Sequence, residues 1–462
     1  MLESLTHDYD AARDHGLRAV AQFWTITIAQ AACFGACQRL APTGRSSSAG
    51  NGLRKRLASS LDLDVRDAWR TLAAAPIVTV IATLLLAIGV GANLSLFAIA
   101  NGLMLKPLPV REPARLVLLD NGSWTNPIWE QLREIQADLF EGAFAWSNER
   151  FDLAAGGTKD PVDGAYVSGS AFEVLGVRAL LGRTLAAADD VRGGGTEGPV
   201  AVISHAFWQR RYGGDSNVLG SLLNIDRVPF TIVGVTPPGF AGVEVGRAWD
   251  VMVPLGAEPV IKGRDSSLDG RSVWWLEIMA RLKDGSTIEQ ATAALRAAQP
   301  RIRDATRPAA GRSASHHMSE PLTLAPAATG RSQLRVRYKQ PLAIIIGVAA
   351  AVLLIACANI ANLLLVRAAA RSHELGVRLA LGASRWRIAR QLLLESLMVA
   401  SAGTLCGVAI AIPGSTALLR QFGAPGQPPV VDLSVDWRVT VFAIGITCAT
   451  ALLFGLAPAA GV

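Results

Sequence analysis

No cysteine occurs between Leu105 and Pro341, so about half of this 462-residue chain holds no disulfide, whatever its redox compartment. The five cysteines are Cys33, Cys37, Cys357, Cys406 and Cys448. Cys33 and Cys37 are spaced i, i+4 with no further His or Cys nearby, and read as thiols packing on one helix face rather than metal ligands. Catalytic signatures are missing as well. No Gly-x-x-x-x-Gly-Lys-Ser/Thr loop is present, which excludes a P-loop ATPase within these residues. There is no His-Glu-x-x-His and no Gly-x-Ser-x-Gly, which removes the common zinc-hydrolase and serine-hydrolase readings. His316 and His317 read as an exposed loop pair, and Asp189-Asp190, beside Gly193-Gly194-Gly195, as a solvated turn rather than an acid–base pair.

Charge is absent from four long runs: Thr71 to Leu105, Pro341 to Val366, Ser396 to Leu419 and Val439 to Val462. Each is long enough to cross a bilayer, which takes about 20 apolar residues. With 51% hydrophobic residues and a mean hydropathy of +0.33, the chain is a multi-span membrane protein with a soluble part. The net charge of +7 does not indicate nucleic acid. The arginines cluster beside the spans, as positive-inside bias requires, and no recognition motif accompanies them.

Residues 19–38 carry no charge but hold three glutamines and two threonines; they read as a surface helix, a poorly folded start or an extra span. Glu3, Asp8, Asp10 and Asp14 argue against a cleaved signal peptide. After a Ser/Gly-rich loop, Arg54, Lys55, Arg56, Arg66 and Arg70 place the approach to the first span in the cytoplasm, with Trp69 as an interfacial anchor. Small residues in that span, Gly89 and Gly91, mark close helix packing, and Asn93 reads as a packing hydrogen bond. Asn359 and Asn362 are assigned the same packing role in the second span. From Lys106 to Lys339 the chain is soluble in character. Leu116–Leu119, Val200–Ile203 and Phe230–Val235 read as strands. Thr287 to Arg303 reads as a helix with Ile288, Ala291, Leu295 and Ile302 inward. The mixture predicts an α+β domain in two lobes. Arg331, Arg335, Arg337 and Lys339 would lie on its outer side, against the positive-inside trend, where lipid head groups or an acidic partner could meet them. The fourth span is expected to end with the sequence.

The stretch from Leu353 to Ser396 is the most specific. An apolar span ends at Val366, six arginines follow (Arg367, Arg371, Arg378, Arg385, Arg387 and Arg390), and a second span begins. Between the arginines, Leu375, Leu379 and Leu381 fall at helical spacing, giving a short amphipathic helix on the cytoplasmic side. The ordered pattern Glu374-Leu375-Gly376-x-Arg378-x-Ala380-x-Gly382-Ala383 resembles the coupling helix of the MacB/FtsX family of ABC transporter permeases. Further segments resemble the same family, and within it the duplicated orphan permeases known from acidobacteria. They are Asp64 to Leu72, Leu84 to Asn93, Lys106-Pro107-Leu108-Pro109, Val167 to Arg183, Pro199 to Gly214 and Phe230 to Phe240.

The resemblance implies a membrane α-helical protein of four transmembrane helices, with a large extracytoplasmic MacB-like α+β domain between the first and second. The expected layout is a cytoplasmic N-terminal region (1–70), first span (71–105), extracytoplasmic domain (106–340), second span (341–366), coupling helix (367–390), third span (391–420), extracytoplasmic loop (421–437) and fourth span (438–462). It implies that Arg371, Glu374, Leu375, Gly376, Arg378, Ala380, Gly382 and Ala383 engage a separate cytoplasmic ABC ATPase, which binds the ATP. This chain itself would bind no cofactor or metal. Its other partners would be a second permease copy or half and the lipid bilayer of a bacterial cytoplasmic membrane, with no nucleic acid. Three departures stand out. The first 50 residues match nothing expected of the branch, its usual second half is missing, and the turn Asp226-Arg227-Val228-Pro229 lacks the expected glycine. A membrane-anchored signalling or scaffold protein, and a truncated half of a duplicated permease, remain the alternatives.

Overall fold

In a computed structural model the described residues are 66, 68–120, 122–154, 158–308, 321–370, 385–421 and 430–460. They fall into two compact units. One holds the described residues within 66–98, 344–416 and 433–460; the other holds those within 99–343 and 417–432.

The second unit is built on a sheet. Its strands are β1 (Leu116–Leu119), β2 (Gly142–Asp152), β3 (Pro161–Val167), β4 (Leu181–Gly182), β5 (Val200–Ile203), β6 (Leu222–Ile225), β7 (Val228–Val235), β8 (Val251–Pro254), β9 (Glu277–Arg281) and β10 (Leu324–Pro326). They form one hydrogen-bonded network in the order β10-β1-β9-β2-β3-β8-β5-β7-β4, with β6 on β7. Where the sequence suggests two lobes, the strands form a single continuous sheet. Pairs β3–β8 and β5–β7 are parallel, and a register shift at Ala201/Val202 bends β5.

Both faces of this sheet are buried, and the two-residue pleat sorts the side chains between two cores. Val117, Ala143, Ala145, Ala201, Ile203, Val251, Val253, Ile278 and Ala280 face one core. Their neighbours Leu116, Phe144, Trp146, Val200, Val202, Met252 and Met279 face the other. Two helices cover the first face: Asn126–Leu139 through Ile128, Trp129 and Leu132, and Ile288–Ala305 through Ala291, Leu295 and Ile302. The latter starts at a reciprocal cap. The Gln290 amide donates to Thr287 Oγ1 at 3.3 Å and the Thr287 amide to Gln290 Oε1 at 3.1 Å.

The turn without glycine joins β6 to β7. Ile225 pairs with Val228, leaving Asp226 and Arg227 as a two-residue turn with φ of 48° and 70°. Positive φ at both positions is what a type I′ hairpin turn needs. Asp226 is held there through Asp152, whose carbonyl accepts from the Asp226 amide at 2.8 Å and whose amide donates to Asp226 Oδ1 at 3.1 Å.

The helical elements, in chain order, are α1 (Pro76–Ala100), α2 (Asn126–Leu139), α3 (Ala171–Leu175), α4 (His205–Tyr212), α5 (Glu258–Lys262), α6 (Ile288–Ala305), α7 (Gln333–Ala370), α8 (Arg385–Gln421) and α9 (Trp437–Ala460). Among the described residues three helices are long and apolar enough to cross a membrane, covering Pro76–Leu105, Gln333–Leu363 and Arg390–Gln421. The apolar part of α9, Trp437–Leu453, is shorter. α7 starts eight residues before the charge-free run, so Pro341 lies inside it. The start is set by Ser332, whose Oγ accepts from the Arg335 amide at 3.1 Å in the manner of an N-cap. At 38 residues α7 is roughly 57 Å long, nearly twice the hydrocarbon thickness of about 30 Å.

Candidate functional site: span clamps and a three-segment joint

Within the helical unit, α1 meets three other helices at named points. Towards α8 it shows Ala87, Gly91 and Ser95, spaced four apart. α8 answers with Gly403, Gly407, Ala411 and Ser415 at the same spacing. Backbones touch here: a Cβ on Gly91 would sit 3.0 Å from the Gly407 carbonyl oxygen, and one on Gly407 would sit 3.1 Å from the Ala87 oxygen and the Gly91 nitrogen. Small residues at i, i+4 permit such an approach, and in lipid, close packing is a main source of helix association. Ser95 Oγ donates to the Gly91 carbonyl at 2.8 Å and reaches the Ala411 carbonyl of α8 at 3.3 Å.

Asn93 is buried. Its Nδ2 donates to the Gly89 carbonyl at 2.9 Å and to the Ala349 carbonyl of α7 at 3.1 Å. A Cβ on Gly89 would meet Leu353 Cδ1 of α7 at 2.8 Å. α8 is tied to α9 by the hydroxyls of Thr404 and Thr447, 2.8 Å apart. Phe97 and Phe442 stack with centroids 4.1 Å apart. Asn359 and Asn362, by contrast, are exposed on α7. In the sequence the α8 stripe shows only as a four-residue spacing of Gly403, Gly407, Ala411 and Ser415, which span length and hydropathy do not register.

Inside the sheet unit, three chain segments meet beside the loop between β7 and β8. The first follows α1. A π-turn, Asn101–Leu105, brings Gly102 so close to Val431 and the Asp432 carbonyl that a Cβ would lie 2.7 and 2.9 Å away. Lys106 pairs with Asp432. The second segment leads into α7. The Val245 amide donates to the Arg331 carbonyl at 2.8 Å, and the Arg331 amide to Val243 at 3.1 Å. The third leads towards α9, where Gly246 and Val430 exchange amide–carbonyl bonds of 3.1 and 3.3 Å. Gly246, at φ 102°, leaves the space that Leu334 Cδ1 occupies.

Arg335 locks this joint. Its guanidinium donates to the carbonyls of Leu103 (2.9 Å), Thr329 (2.9 Å) and Gly330 (3.2 Å). The loop is anchored to the sheet through Trp249, whose Nε1 donates to Asn148 Oδ1 at 2.7 Å, while Asn148 Nδ2 donates to Glu244. An open cleft of about 1070 Å³ runs along the joint, lined among others by Lys106, Leu108, Phe240, Val245, Leu334 and Asp432.

Asp189 and Asp190 are structural staples rather than the solvated turn read from sequence. Asp189 is buried and accepts from both Arg183 nitrogens at 2.6 and 2.9 Å. Asp190 accepts the Gly169 amide at 3.0 Å and the Gly256 amide at 2.7 Å, joining two distant loops. Burial pushes its carboxyl above the ordinary value, against the pull of those two amides. Among the described residues no cluster of His, Cys, Asp and Glu could hold a metal ion. Cys357 is buried, and Cys406 and Cys448 are exposed. Arg371, Glu374, Leu375, Gly376, Arg378, Ala380, Gly382 and Ala383 lie outside the described residues, as do residues 19–38, His316 and His317.

Comparison with known proteins gives two family matches in sequence order. Residues 79–298 match the MacB-like periplasmic core domain, and residues 346–462 match the FtsX-like permease C-terminal region. The pyoverdine export ATP-binding/permease protein PvdT of Pseudomonas syringae pv. tomato is 25% identical over 262 residues, covering 56% of this chain and 36% of that protein. The macrolide export ATP-binding/permease protein MacB of Marinobacter nauticus is 35% identical over 112 residues, covering 24% of this chain and 16% of that protein. This chain thus spans about a third or less of the length of these relatives. The crystal structure of the periplasmic region of MacB from Actinobacillus actinomycetemcomitans aligns with a TM-score of 0.32 and 13% identity, covering 49% of this chain and 91% of that one. On the two ordered domain matches, the chain belongs to the MacB/FtsX-type ABC transporter permeases.

Proposed function

We propose that this chain is the permease subunit of an ABC-type transporter in a bacterial cytoplasmic membrane. It would carry ATP-driven motion of a separate cytoplasmic ATPase to the MacB-like domain outside, for export or release of a substrate there. In this reading α1, α7, α8 and α9 are four spans. The segment 367–390 is the coupling helix, with Glu374, Gly376, Gly382 and Ala383 at the ATPase surface, and ATP stays on the ATPase. A second permease copy or half completes the working unit.

The observation that carries the reading is the way α1 is fastened. Its middle is tied to α7 by Asn93 and to α8 by the Gly91–Gly407 contact. The segments that follow α1 and precede α7 are tied together by Arg335. Helices joined in this way move as a group rather than slide past one another. Few ionisable groups interrupt the spans, which argues against a polar conduction path through them. Names of the relatives support an ATPase: both describe ATP-binding/permease proteins in which the two functions share a chain.

Co-expression with candidate ABC ATPases tests the proposal. The wild-type chain should co-purify with one of them and change its ATP hydrolysis rate, and Glu374→Ala with Gly382→Trp should remove both effects. Unchanged association and hydrolysis in the double variant, with membrane insertion intact, would refute the coupling role.

A further inference from the structure

Three cations, Arg335, Arg337 and Lys339, fall in the first two turns of α7, where the helix macrodipole is already positive and cations are disfavoured. Arg335 is used internally, on three carbonyls. Arg337 and Lys339 are different: both are exposed, and neither has an acidic partner among the ion pairs of the described residues. Val336 beside them is 85% exposed, and the Arg337 guanidinium lies 5.6 Å from the Tyr338 ring centroid. Two unfavourably placed, solvent-facing cations without an internal task point to an external anion.

Position along α7 identifies its source. The apolar run begins at Pro341, after Gln340. At 1.5 Å per residue, Arg337 and Lys339 sit roughly 6 and 3 Å above that boundary. The headgroup layer on each side of the hydrocarbon is about 5–7 Å deep, so both side chains reach the level of lipid phosphates without leaving the helix axis. Tyr338, between them, is an aromatic of the kind enriched at this depth. A soluble acidic peptide or free phosphate would have no reason to require cations at that level.

We propose that Arg337 and Lys339 form a binding site for the phosphate headgroups of anionic phospholipids in the outer leaflet. Such a site would fix the depth of α7 in the bilayer and so the height of the joint locked by Arg335. The inference rests on reading α7 as a span whose start lies outside.

The test uses the full chain, purified in detergent and titrated with phosphatidylglycerol or phosphatidylcholine, bound lipid being counted by native mass spectrometry. Phosphatidylglycerol should be retained preferentially, with salt-sensitive affinity. R337Q and K339Q should each weaken it about five-fold and the double variant about thirty-fold, at roughly one lost charge contact apiece. R178Q, which removes an exposed cation of the sheet unit between α3 and β4, should change it little. Equal retention by wild type and double variant would overturn the proposal, and so would displacement of the lipid by millimolar inorganic phosphate. Failure of the underlying span reading would look different. Val336→Cys, in a chain without its native cysteines, would then be labelled by membrane-impermeant reagent from the cytoplasmic side.

Discussion

The contact between α1 and α8 makes the sharpest energetic prediction. Gly407→Val places a Cβ 3.1 Å from both the Ala87 oxygen and the Gly91 nitrogen, and 3.3 Å from Val90 Cγ1. Its two γ-methyls extend further into the same backbone, so the helices must separate. Overpacking of this kind costs about 1–3 kcal/mol. Separation also stretches the 3.3 Å bond from Ser95 to Ala411, and interhelical hydrogen bonds in membranes are worth about 0.6 kcal/mol on average. The expected destabilisation is about 2–4 kcal/mol. Gly347→Val and Gly445→Val are internal controls, because a Cβ at either position meets nothing within 4 Å. Thermal unfolding in detergent or steric trapping in bicelles should separate G407V from both controls. If all three variants unfold together with wild type, the four-residue stripe of small residues does not pack as described.

Further outcomes follow from the other contacts. Asn93→Ala should cost about 0.6–1.7 kcal/mol in the same unfolding assay, whereas Asn359→Ala and Asn362→Ala, both exposed, should cost little; the reverse order would relocate the polar clamp. Arg335→Met keeps the aliphatic stem but abandons three carbonyls. Hydrogen bonds from charged donors contribute about 1.5–3 kcal/mol each, so the amides of Lys106 and Gly330 should exchange with deuterium faster, and unaltered protection would remove Arg335 from the joint. Asp189→Asn tests the staple by pH. Burial raises the Asp189 carboxyl, but the hydrogen bonds from Arg183 and the Ala186 amide, with the Arg183 charge, outweigh it and hold the value below normal. A lowered folded value means stabilisation that is present above the ordinary carboxylate range, near pH 4, and is lost as pH falls through the folded value. Below about pH 4 the wild-type domain should therefore lose stability more steeply than D189N, and parallel curves would contradict the assignment.

Much of the architecture is written in one-dimensional patterns. Val200–Ile203 and Leu116–Leu119 are short apolar runs, because both faces of the sheet are covered, and such runs identify strands directly. The helix Ile288–Ala305 announces itself through the cap at Thr287 and the spacing of Ala291, Leu295 and Ile302. Other features depend on partners far away in sequence. Asp190 looks like a loop residue until Gly169 and Gly256 are brought to it. Charge places the start of α7 at Pro341, yet Ser332 carries the capping chemistry. A proline inside a helix hides that continuation, since only the Arg337 carbonyl loses its bond. In the spans, the Asn93 contact could be inferred because a lone amide in an apolar run needs an acceptor. Its choice of Ala349, 256 positions away, could not.

The measurement closest to the central claim is cross-linking from a single cysteine at Ala383, with Cys33, Cys37, Cys357, Cys406 and Cys448 replaced, against candidate ABC ATPases in native membranes. A specific adduct whose yield changes with ATP is the predicted result, and it would identify the motor. The contrary result is no adduct with any of them from a chain that is inserted and folded; that would remove the ATPase from the account and leave a membrane-anchored scaffold.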